Sequence, residues 1–253
     1  MSDWIVLAIG MAASCVVVLS IVAINNRRLS EDDDPSETPD VIEYMTMMIG
    51  VVYAIVLGLA IAGVWEGRGA AEDAARREAQ ALHEVQERVQ VYPAAVRDRV
   101  RGDIDTYVSY VVDTEIPYMI KHGDNTQRGS DLLGVVRRDV TSFEPRTPLA
   151  NQAYQPVVDQ VAAADDARNA RADSSGPTMP GVVWFGLIVG GLVAVGLIFT
   201  LQIRRSRREL ILAGLYSALI AFLLFLIWDF NAPYGRTPAE AAASFAALFP
   251  HVG

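Results

Sequence analysis

The sequence predicts an all-α, polytopic integral membrane protein with four transmembrane helices and a helical extramembrane insert between helices two and three. Three observations lead to this prediction. The 253-residue chain is 52% hydrophobic and has a mean hydropathy of +0.26. Its apolar residues form four uncharged runs of about 20 residues, roughly the length that crosses a hydrocarbon core ~30 Å thick. A long charged segment, rich in good helix formers, separates the second run from the third.

The four apolar runs are Trp4–Ile24, Met45–Trp65, Val182–Leu201 and Leu210–Trp228. Each of the four tryptophans lies at or near the end of a run, as interfacial tryptophans do. The first run has the position of a signal peptide, but no positive charge precedes it and arginines follow it. We therefore interpret it as an uncleaved anchor rather than as a processed segment.

Arginines in the two short loops predict the orientation. Arg27 and Arg28 follow the first run, and the cluster Arg204–Arg208 lies between the third and fourth runs. The positive-inside rule places both loops in the cytoplasm. Four spans then leave both termini and the long insert outside. The predicted regions are a first transmembrane hairpin with a short acidic cytoplasmic loop (1–65), an extramembrane helical domain (66–180), a second transmembrane hairpin with an arginine-rich loop (181–230) and an extracytoplasmic tail (231–253).

The insert is expected to contain four helices, because its apolar residues recur at helical spacing between proline and glycine breaks. The predicted helices are Glu66–Tyr92, Ala94–Ile116, Leu132–Phe143 and Leu149–Ala172. Pro93 and Pro117 are expected to end the first two. The apolar stripe at 82, 85 and 89 matches another at 96, 100, 104 and 107, so the first two helices are expected to form an antiparallel hairpin that buries both stripes.

Three stretches around this insert resemble an uncharacterised bacterial family of four-span membrane proteins catalogued as bestrophin-like. They are EGRGAAEDAARREAQALHEV after the second run, YVSYVVDTEIPYM at Tyr107–Met119 and ARNARADSSGPTMPGVVW at Ala167–Trp184. The resemblance covers about residues 45–201. The positions that carry it are Glu78, Glu115, Pro117, Arg168, Arg171, Pro180 and Trp184. Where the family commonly has tryptophan after its second glutamate, this chain has Ile116.

The resemblance implies a multi-pass protein of the bacterial cell membrane that forms homo-oligomers. Bestrophins are pentameric anion channels, so it also implies, at most, an ion channel or a transport-related activity. One feature differs from bestrophins. They keep their large helical region in the cytosol, whereas the arginines of this chain place the insert outside.

Small residues occupy every fourth position of the second span, at Gly50, Ala54, Gly58 and Ala62, and Glu66 continues this row. The third span has a similar row at Gly186, Gly190 and Ala194, and the fourth span has one at Ala213, Ser217 and Ala221. Two interpretations remain open. The rows line a narrow pathway with Glu66 at its outer mouth, or they allow close helix packing within one subunit. Glu66 and Asp229 each follow a span-ending tryptophan, and they would form either an acidic ring that favours cations or ordinary interfacial acids facing water.

Other classes of function lack their sequence signals. The chain contains no nucleophile elbow, phosphate loop, paired-histidine zinc motif or glycine-rich nucleotide turn. The acidic segment Ser30–Asp40 lacks calcium-loop spacing. The sequence has no compact basic face with interleaved aromatic residues, which is the pattern that would predict nucleic-acid binding. The single cysteine, Cys15, excludes an intramolecular disulfide. We therefore expect neither an enzyme nor a cofactor or metal site.

Two functions remain as expectations. The first is an oligomeric, bestrophin-like ion channel or transport-related protein. The second is a non-conducting scaffold or sensor whose outer helical bundle binds a partner. The expected partners are the lipid bilayer, further copies of the chain, and an ion or another protein. A charged or hydroxyl-rich pore face would favour the channel, and a closed apolar bundle would favour the scaffold.

Overall fold

A computed structural model describes residues 40–200, 207–235 and 238–252. These residues form eight α-helices and no strand. A 3₁₀ turn lies at Val89–Val91 and a π-helical segment at Val111–Glu115. The helices are α1 (Asp40–Arg88), α2 (Ala94–Tyr110), α3 (Ile116–His122), α4 (Gln127–Thr141), α5 (Pro148–Asp173), α6 (Gly181–Thr200), α7 (Arg207–Phe230) and α8 (Pro238–Leu248).

The chain divides into two compact units. The apolar unit consists of the described parts of Met1–Trp65 and Met179–Asn231, and the polar unit consists of those of Glu66–Thr178 and Ala232–Gly253. Helix α1 continues without interruption through Gly67 and Gly69. At Gly67 an added Cβ would clash with the side chain of Thr178, so glycine permits this close approach.

Two helices of the described chain are long and apolar enough to cross a membrane, α1 and Ile211–Phe230 of α7. A shorter apolar stretch, Gly181–Leu197, lies in α6. These three coincide with the second, third and fourth predicted spans. The first predicted span, residues 30–39 of the acidic segment and the arginines at 27, 28, 204 and 205 lie outside the described residues. Four spans and their orientation therefore remain predictions.

The core of the apolar unit is formed by one face of α1 packed against α6 and α7. Tyr53, Leu57 and Val64 are buried on this face, together with Leu187 of α6 and Ile220 of α7. The Tyr53 hydroxyl donates a hydrogen bond of 2.9 Å to the carbonyl oxygen of Leu187. A Cβ added at Gly190 would lie 2.8 Å from the Tyr53 ring, so a small residue is needed there.

The small-residue rows of the three helices face different surroundings. On α6 and α7, Ala194, Ala213 and Ser217 are buried inside the unit. On α1, Ala54 and Gly58 are exposed, as is Ala62, while Gly50 is half-buried. A Cβ added at either of these two glycines would have no neighbour within 4 Å. Within the described residues, the row on α1 therefore lies largely outside the face that packs against the rest of the unit.

The predicted hairpin in the polar unit is confirmed. Leu82, Val85 and Val89 of the first stripe are fully buried in one cluster that also holds the second stripe, Val100, Ile104 and Tyr107, with Val96 partly buried against it. Gln86 donates a hydrogen bond of 2.7 Å to Asp105, and Tyr107 reaches back to Glu78. Gln86 and Asp105 both lie nearer the turn between the helices than Glu78 and Tyr107 do. The two helices are therefore antiparallel.

Pro117 does not end the second helix of the insert, contrary to the sequence prediction. The helical path passes from α2 through the π-helical residues into α3 and ends at Gly123, whose φ of 74° suits glycine. Proline has no N–H to donate. In this structure it is the second residue of α3, directly after the π-helical turn, and the helix continues past it to His122.

Two further boundaries differ from the sequence prediction. Helix α4 begins at Gln127 rather than at Leu132, because the Thr126 side chain caps it by accepting a hydrogen bond from the N–H of Gly129. The C-terminal residues, which the sequence analysis treated as a separate tail, contain α8. Phe245 of α8 and Phe249 after it are buried in the core of the polar unit.

Candidate functional site: a buried ionic cluster

Four charged side chains meet in the interior of the polar unit. Glu78 comes from α1, Glu115 from the π-helical segment, and Arg168 and Arg171 from successive turns of α5. Each is at most 3% exposed. Charges are rarely buried to this extent unless they are paired, and here two carboxylates balance two guanidinium groups. We call these four residues the ionic cluster.

Arg171 bridges the two glutamates. Its Nε donates to Oε2 of Glu78 at 2.7 Å, and its Nη2 donates to Oε1 of Glu115, also at 2.7 Å. Its Nη1 lies 3.4 Å from the sulfur of Met119. These are short, charge-assisted hydrogen bonds, about twice as strong as neutral ones. The planar guanidinium therefore joins α1 to the π-helical segment from its position on α5.

Arg168 binds the other oxygen of Glu115. Its Nη2 donates to Oε2 of Glu115 at 2.8 Å and to the carbonyl oxygen of Thr126 at 2.9 Å. Its Nη1 donates to the hydroxyl oxygen of Ser130 at 3.0 Å. The Thr126 hydroxyl donates to the same Glu115 oxygen at 2.7 Å. Glu115 therefore accepts hydrogen bonds from two arginines and from the residue that caps α4.

Two tyrosines complete the surroundings of the cluster. The hydroxyl of Tyr107 donates to Oε1 of Glu78 at 2.5 Å. The hydroxyl of Tyr234 donates to the carbonyl oxygen of Arg171 at 3.1 Å. Burial, and next the negative charge of Glu78, raise the pKa of Tyr107 well above its ordinary value. Tyr107 therefore remains a hydrogen-bond donor throughout the physiological pH range.

Glu115 and Arg171 stay charged because their partners outweigh the effect of burial. Burial by itself raises the pKa of Glu115, but Arg171, the hydrogen bonds from Thr126 and Arg168, and the charge of Arg168 outweigh it and hold that pKa below its ordinary value. Burial lowers the pKa of Arg171, but Glu78, Tyr107 and Glu115 overcome this effect and raise it. The contact between Glu115 and Arg171 is therefore an ion pair at neutral pH.

Local backbone structure places Glu115 and leaves room for its partners. A π-helical turn contains one extra residue per turn, and such turns often occur where a side chain must be redirected. Gly129 lies in the first turn of α4, and a Cβ at this position would clash with the side chains of both Glu115 and Arg168. The ionic cluster therefore depends on a glycine that the sequence analysis did not single out.

The structure brings together four of the seven positions that carry the family resemblance, namely Glu78, Glu115, Arg168 and Arg171. Pro117 lies two residues after Glu115 in α3. Pro180 precedes α6, and its carbonyl oxygen accepts the N–H of Trp184, which packs on the core of the apolar unit. Tyr107 was predicted only as part of an apolar stripe, and Thr126 and Ser130 had no sequence signal of their own.

None of the pore and packing candidates belongs to the ionic cluster. On α6, Gly186 is exposed and Gly190 contacts Tyr53. Glu66 is exposed on α1, and Asp229 is half-buried in the last turn of α7. Among the described residues, no group of three or more histidine, cysteine, aspartate or glutamate side chains could hold a metal ion.

The cluster is suited to holding helices together rather than to chemistry on a substrate. Its carboxylate oxygens are occupied by arginine, threonine and tyrosine donors. Removing one member would leave a buried charge without its partner, which costs far more than an exposed ion pair contributes. The cluster therefore makes the positions of α1, α5, the π-helical segment and the start of α4 depend on one another.

Comparison with known proteins identifies the family. The sequence pattern of the Bestrophin-like domain matches residues 12–237, which is most of the chain. The chain therefore belongs to the bestrophin-like family of membrane proteins. A crystal structure described as that of a membrane protein has the same fold, with a TM-score of 0.68 over the full length of both chains and 10% sequence identity. A comparison with curated proteins found no match.

Proposed function

We propose that the chain is a subunit of an oligomeric ion channel, or of a related transport protein, in a bacterial cell membrane. Membership of the bestrophin-like family supports the class. The small-residue row on α1 carries the proposal, because Ala54, Gly58 and Ala62 are exposed while the neighbouring face of the same helix is buried against the rest of the unit. Small residues let neighbouring copies approach closely, and they leave space for a narrow pathway.

Ion flux into liposomes that contain the purified protein tests this proposal. We expect chloride or potassium flux above that of protein-free liposomes. Gly58→Trp should reduce the flux, because the indole would occupy the small-residue row. Leu59→Trp is the matched control, since Leu59 is 69% exposed on a neighbouring face of α1 and a tryptophan there is expected to contact lipid. Wild-type protein that is oligomeric and passes neither ion would contradict the proposal.

The selectivity of the pathway is expected to depend on Glu66, the exposed acid that continues the row. A ring of carboxylates around a pore mouth favours cations. We propose that Glu66→Gln lowers the ratio of potassium to chloride permeability, as measured by the reversal potential. An unchanged ratio would mean that Glu66 faces water away from the pathway.

The orientation proposed for the protein places both termini and residues 66–180 outside the cytoplasm, because the short loops carry the arginines. Single cysteines at Asp124 and Ser206, in a Cys15→Ala background, test it. Asp124 lies in the exposed loop between α3 and α4. A membrane-impermeant thiol reagent is expected to label position 124 in intact cells and not position 206. Labelling at position 206 and not at position 124 would mean that the protein has the opposite orientation in the membrane.

A non-conducting scaffold or sensor is the alternative. An open groove of about 730 Å³ between α1 and α5 on the polar unit supports it, because a partner could bind there without any ion crossing the membrane. Intact protein that shows no flux, but binds a partner through this groove, would favour the scaffold.

A further inference from the structure

Two aspartates meet where α2 packs against α4, and neither belongs to the ionic cluster. Asp103 of α2 precedes the buried Ile104, and Asp139 of α4 precedes the buried Val140. Both aspartates are partly buried, and their carboxyl groups lie within hydrogen-bonding reach of each other. Two acids are therefore in direct contact beside the hydrophobic core of the polar unit.

The contact between these two acids needs a proton. An ionised carboxylate has acceptor oxygens and nothing to donate, so two of them in contact repel each other. Oδ2 of Asp103 is buried and has no hydrogen-bond partner among the described residues. A proton on one of the two carboxyl groups would supply a donor and remove one negative charge. The geometry of the contact is therefore best satisfied when the pair holds a single proton.

Asp139 of α4 and Arg99 of α2 are the charged groups that face Asp103 within the described residues. Burial raises the pKa of Asp103, and the charge of Asp139 and the hydrogen bond to it raise that pKa further. Arg99 opposes this change by less, and the pKa of Asp103 stays above its ordinary value. Arg99 compensates weakly because its Nε lies 3.8 Å from Oδ2 of Asp139 and its side chain is 62% exposed.

We propose that Asp103 and Asp139 form a proton-sensitive link between α2 and α4. With one proton, the two carboxyl groups share a hydrogen bond that joins the helices. Without it, two negative charges repel each other and weaken the contact. The proton belongs to the pair rather than to either residue. The link does not depend on the proposed channel, since both aspartates lie in the polar unit of a single chain.

This link makes the polar unit respond to pH in the direction opposite to that of Glu115. A carboxyl group whose pKa is raised by folding binds its proton more tightly in the folded chain than in the unfolded chain. Its contribution to stability is complete below the unfolded pKa of ~3.9 and is lost as the pH rises through the folded pKa. In the proposed orientation the polar unit lies outside the cytoplasm, so the link would respond to the pH outside the cell.

Substitution by asparagine tests the link, because asparagine keeps the shape of aspartate, removes its charge and supplies an amide donor. The melting temperature of Asp103→Asn in detergent, relative to wild type, is expected to rise between pH 4 and pH 8. At pH 8 the gain should be about 2–4 °C. Asp98→Asn is the matched control. It removes the same charge from the same helix, but Asp98 pairs with Arg97 at 2.8 Å, so no gain is expected.

A second substitution separates the link from an effect of one residue. Asp139→Asn should show the same pH-dependent gain as Asp103→Asn. The variant that carries both substitutions should gain no more than either alone, because each already removes the repulsion. A loss of stability at pH 8 in Asp103→Asn, the absence of a pH-dependent gain in Asp139→Asn, or additive gains in the double variant would overturn the link. None of these outcomes affects the proposed channel, which ion flux tests separately.

Discussion

The two units of this protein bury different kinds of residue. The difference shows which of the sequence-predicted residues lie in a core and which lie on a surface. In the polar unit, the four charged side chains of the ionic cluster are buried, and each has an opposite partner within 2.8 Å. In the apolar unit, the core of α1 is formed by Tyr53, Leu57 and Val64, while the small residues of the same helix lie on its exposed face. The buried charges of the polar unit therefore belong to its interior, whereas the small residues of α1 lie largely on the surface of the apolar unit.

This comparison assigns the two sets of candidate residues to different roles. The ionic cluster joins segments distant in sequence, since Glu78 and Arg171 are 93 residues apart. The small-residue row on α1 joins nothing within the described part of its own chain. We infer that the first set maintains the fold of one subunit. The second set is available to a neighbouring copy or to a pathway.

The largest effect is expected from Val85→Asp in the hairpin seam. Val85 is fully buried, so the new carboxylate would be buried without a partner at a cost on the order of 5 kcal/mol, comparable with the total stability of many domains. Limited proteolysis should cut the polar unit while the apolar helices still insert. Val91→Asp is the control, because Val91 is 37% exposed. Equal protease resistance in both variants would contradict the buried seam.

Loss of a cluster arginine should have the next largest effect. Arg171→Met keeps much of the volume but leaves Glu78 and Glu115 without their shared partner, and we expect a loss of about 3–5 kcal/mol in the free energy of unfolding. The control is Arg137→Met, which removes an exposed ion pair with Asp165 and should cost less than about 1 kcal/mol. Denaturant titration in detergent measures both. Similar losses would mean that the cluster is not fully buried.

A smaller effect should follow from a methyl group beside the cluster. In Gly129→Ala the new Cβ would clash with Glu115 and Arg168, and we expect a net loss of about 1–3 kcal/mol. Gly134→Ala on the same helix is the matched control, because its Cβ would meet only Arg138, at an ordinary 3.7 Å. It should stabilise α4 by up to about 1 kcal/mol. Equal melting temperatures would contradict the tight contact at Gly129.

The smallest expected effect is the change in stability with pH, and it reports most directly whether Glu115 is charged. Since the pKa of folded Glu115 lies below its unfolded value, its charge stabilises the fold fully above the unfolded pKa of ~4.3. This contribution is lost as the pH falls through the folded pKa. The stability difference between wild type and Glu115→Gln should therefore be greater at pH 7 than at acidic pH. Glu84→Gln, at an exposed position, should show no such change. A constant difference for Glu115→Gln would mean that Glu115 is not charged at neutral pH.

Periodicity predicted the helices well, because it reports which face of a helix is buried. The seam of Leu82, Val85 and Val89 is an example. Boundaries were less predictable where long-range contacts decide them. Helix α4 starts early because Thr126 caps it while also binding Glu115, 11 residues away. The π-helical turn before Pro117 likewise had no local signal in the sequence.

The candidate site was only partly predictable for a related reason. The resemblance pointed to Glu78, Glu115, Arg168 and Arg171, but nothing in a single sequence shows that residues up to 93 positions apart form ion pairs. Tyr107 was hidden within an apolar stripe, because a tyrosine can pack its ring in a core and still donate a hydrogen bond. Whether the small-residue row of α1 is exposed or buried could also be decided only from the structure, since residue spacing alone does not distinguish an outer helix face from an inner one.

The central claim is that the two faces of α1 in the apolar unit serve different partners. It is tested most directly by measuring oligomer mass and melting temperature in detergent for Gly58→Leu and Leu57→Ala. We expect Gly58→Leu to lose the oligomer while the single chain keeps its melting temperature, since an added Cβ has no neighbour within 4 Å. Leu57→Ala should keep the oligomer but lose about 2–5 kcal/mol of stability, because it leaves a cavity in the core. Equal oligomer mass and equal melting temperature in the two variants would contradict the claim.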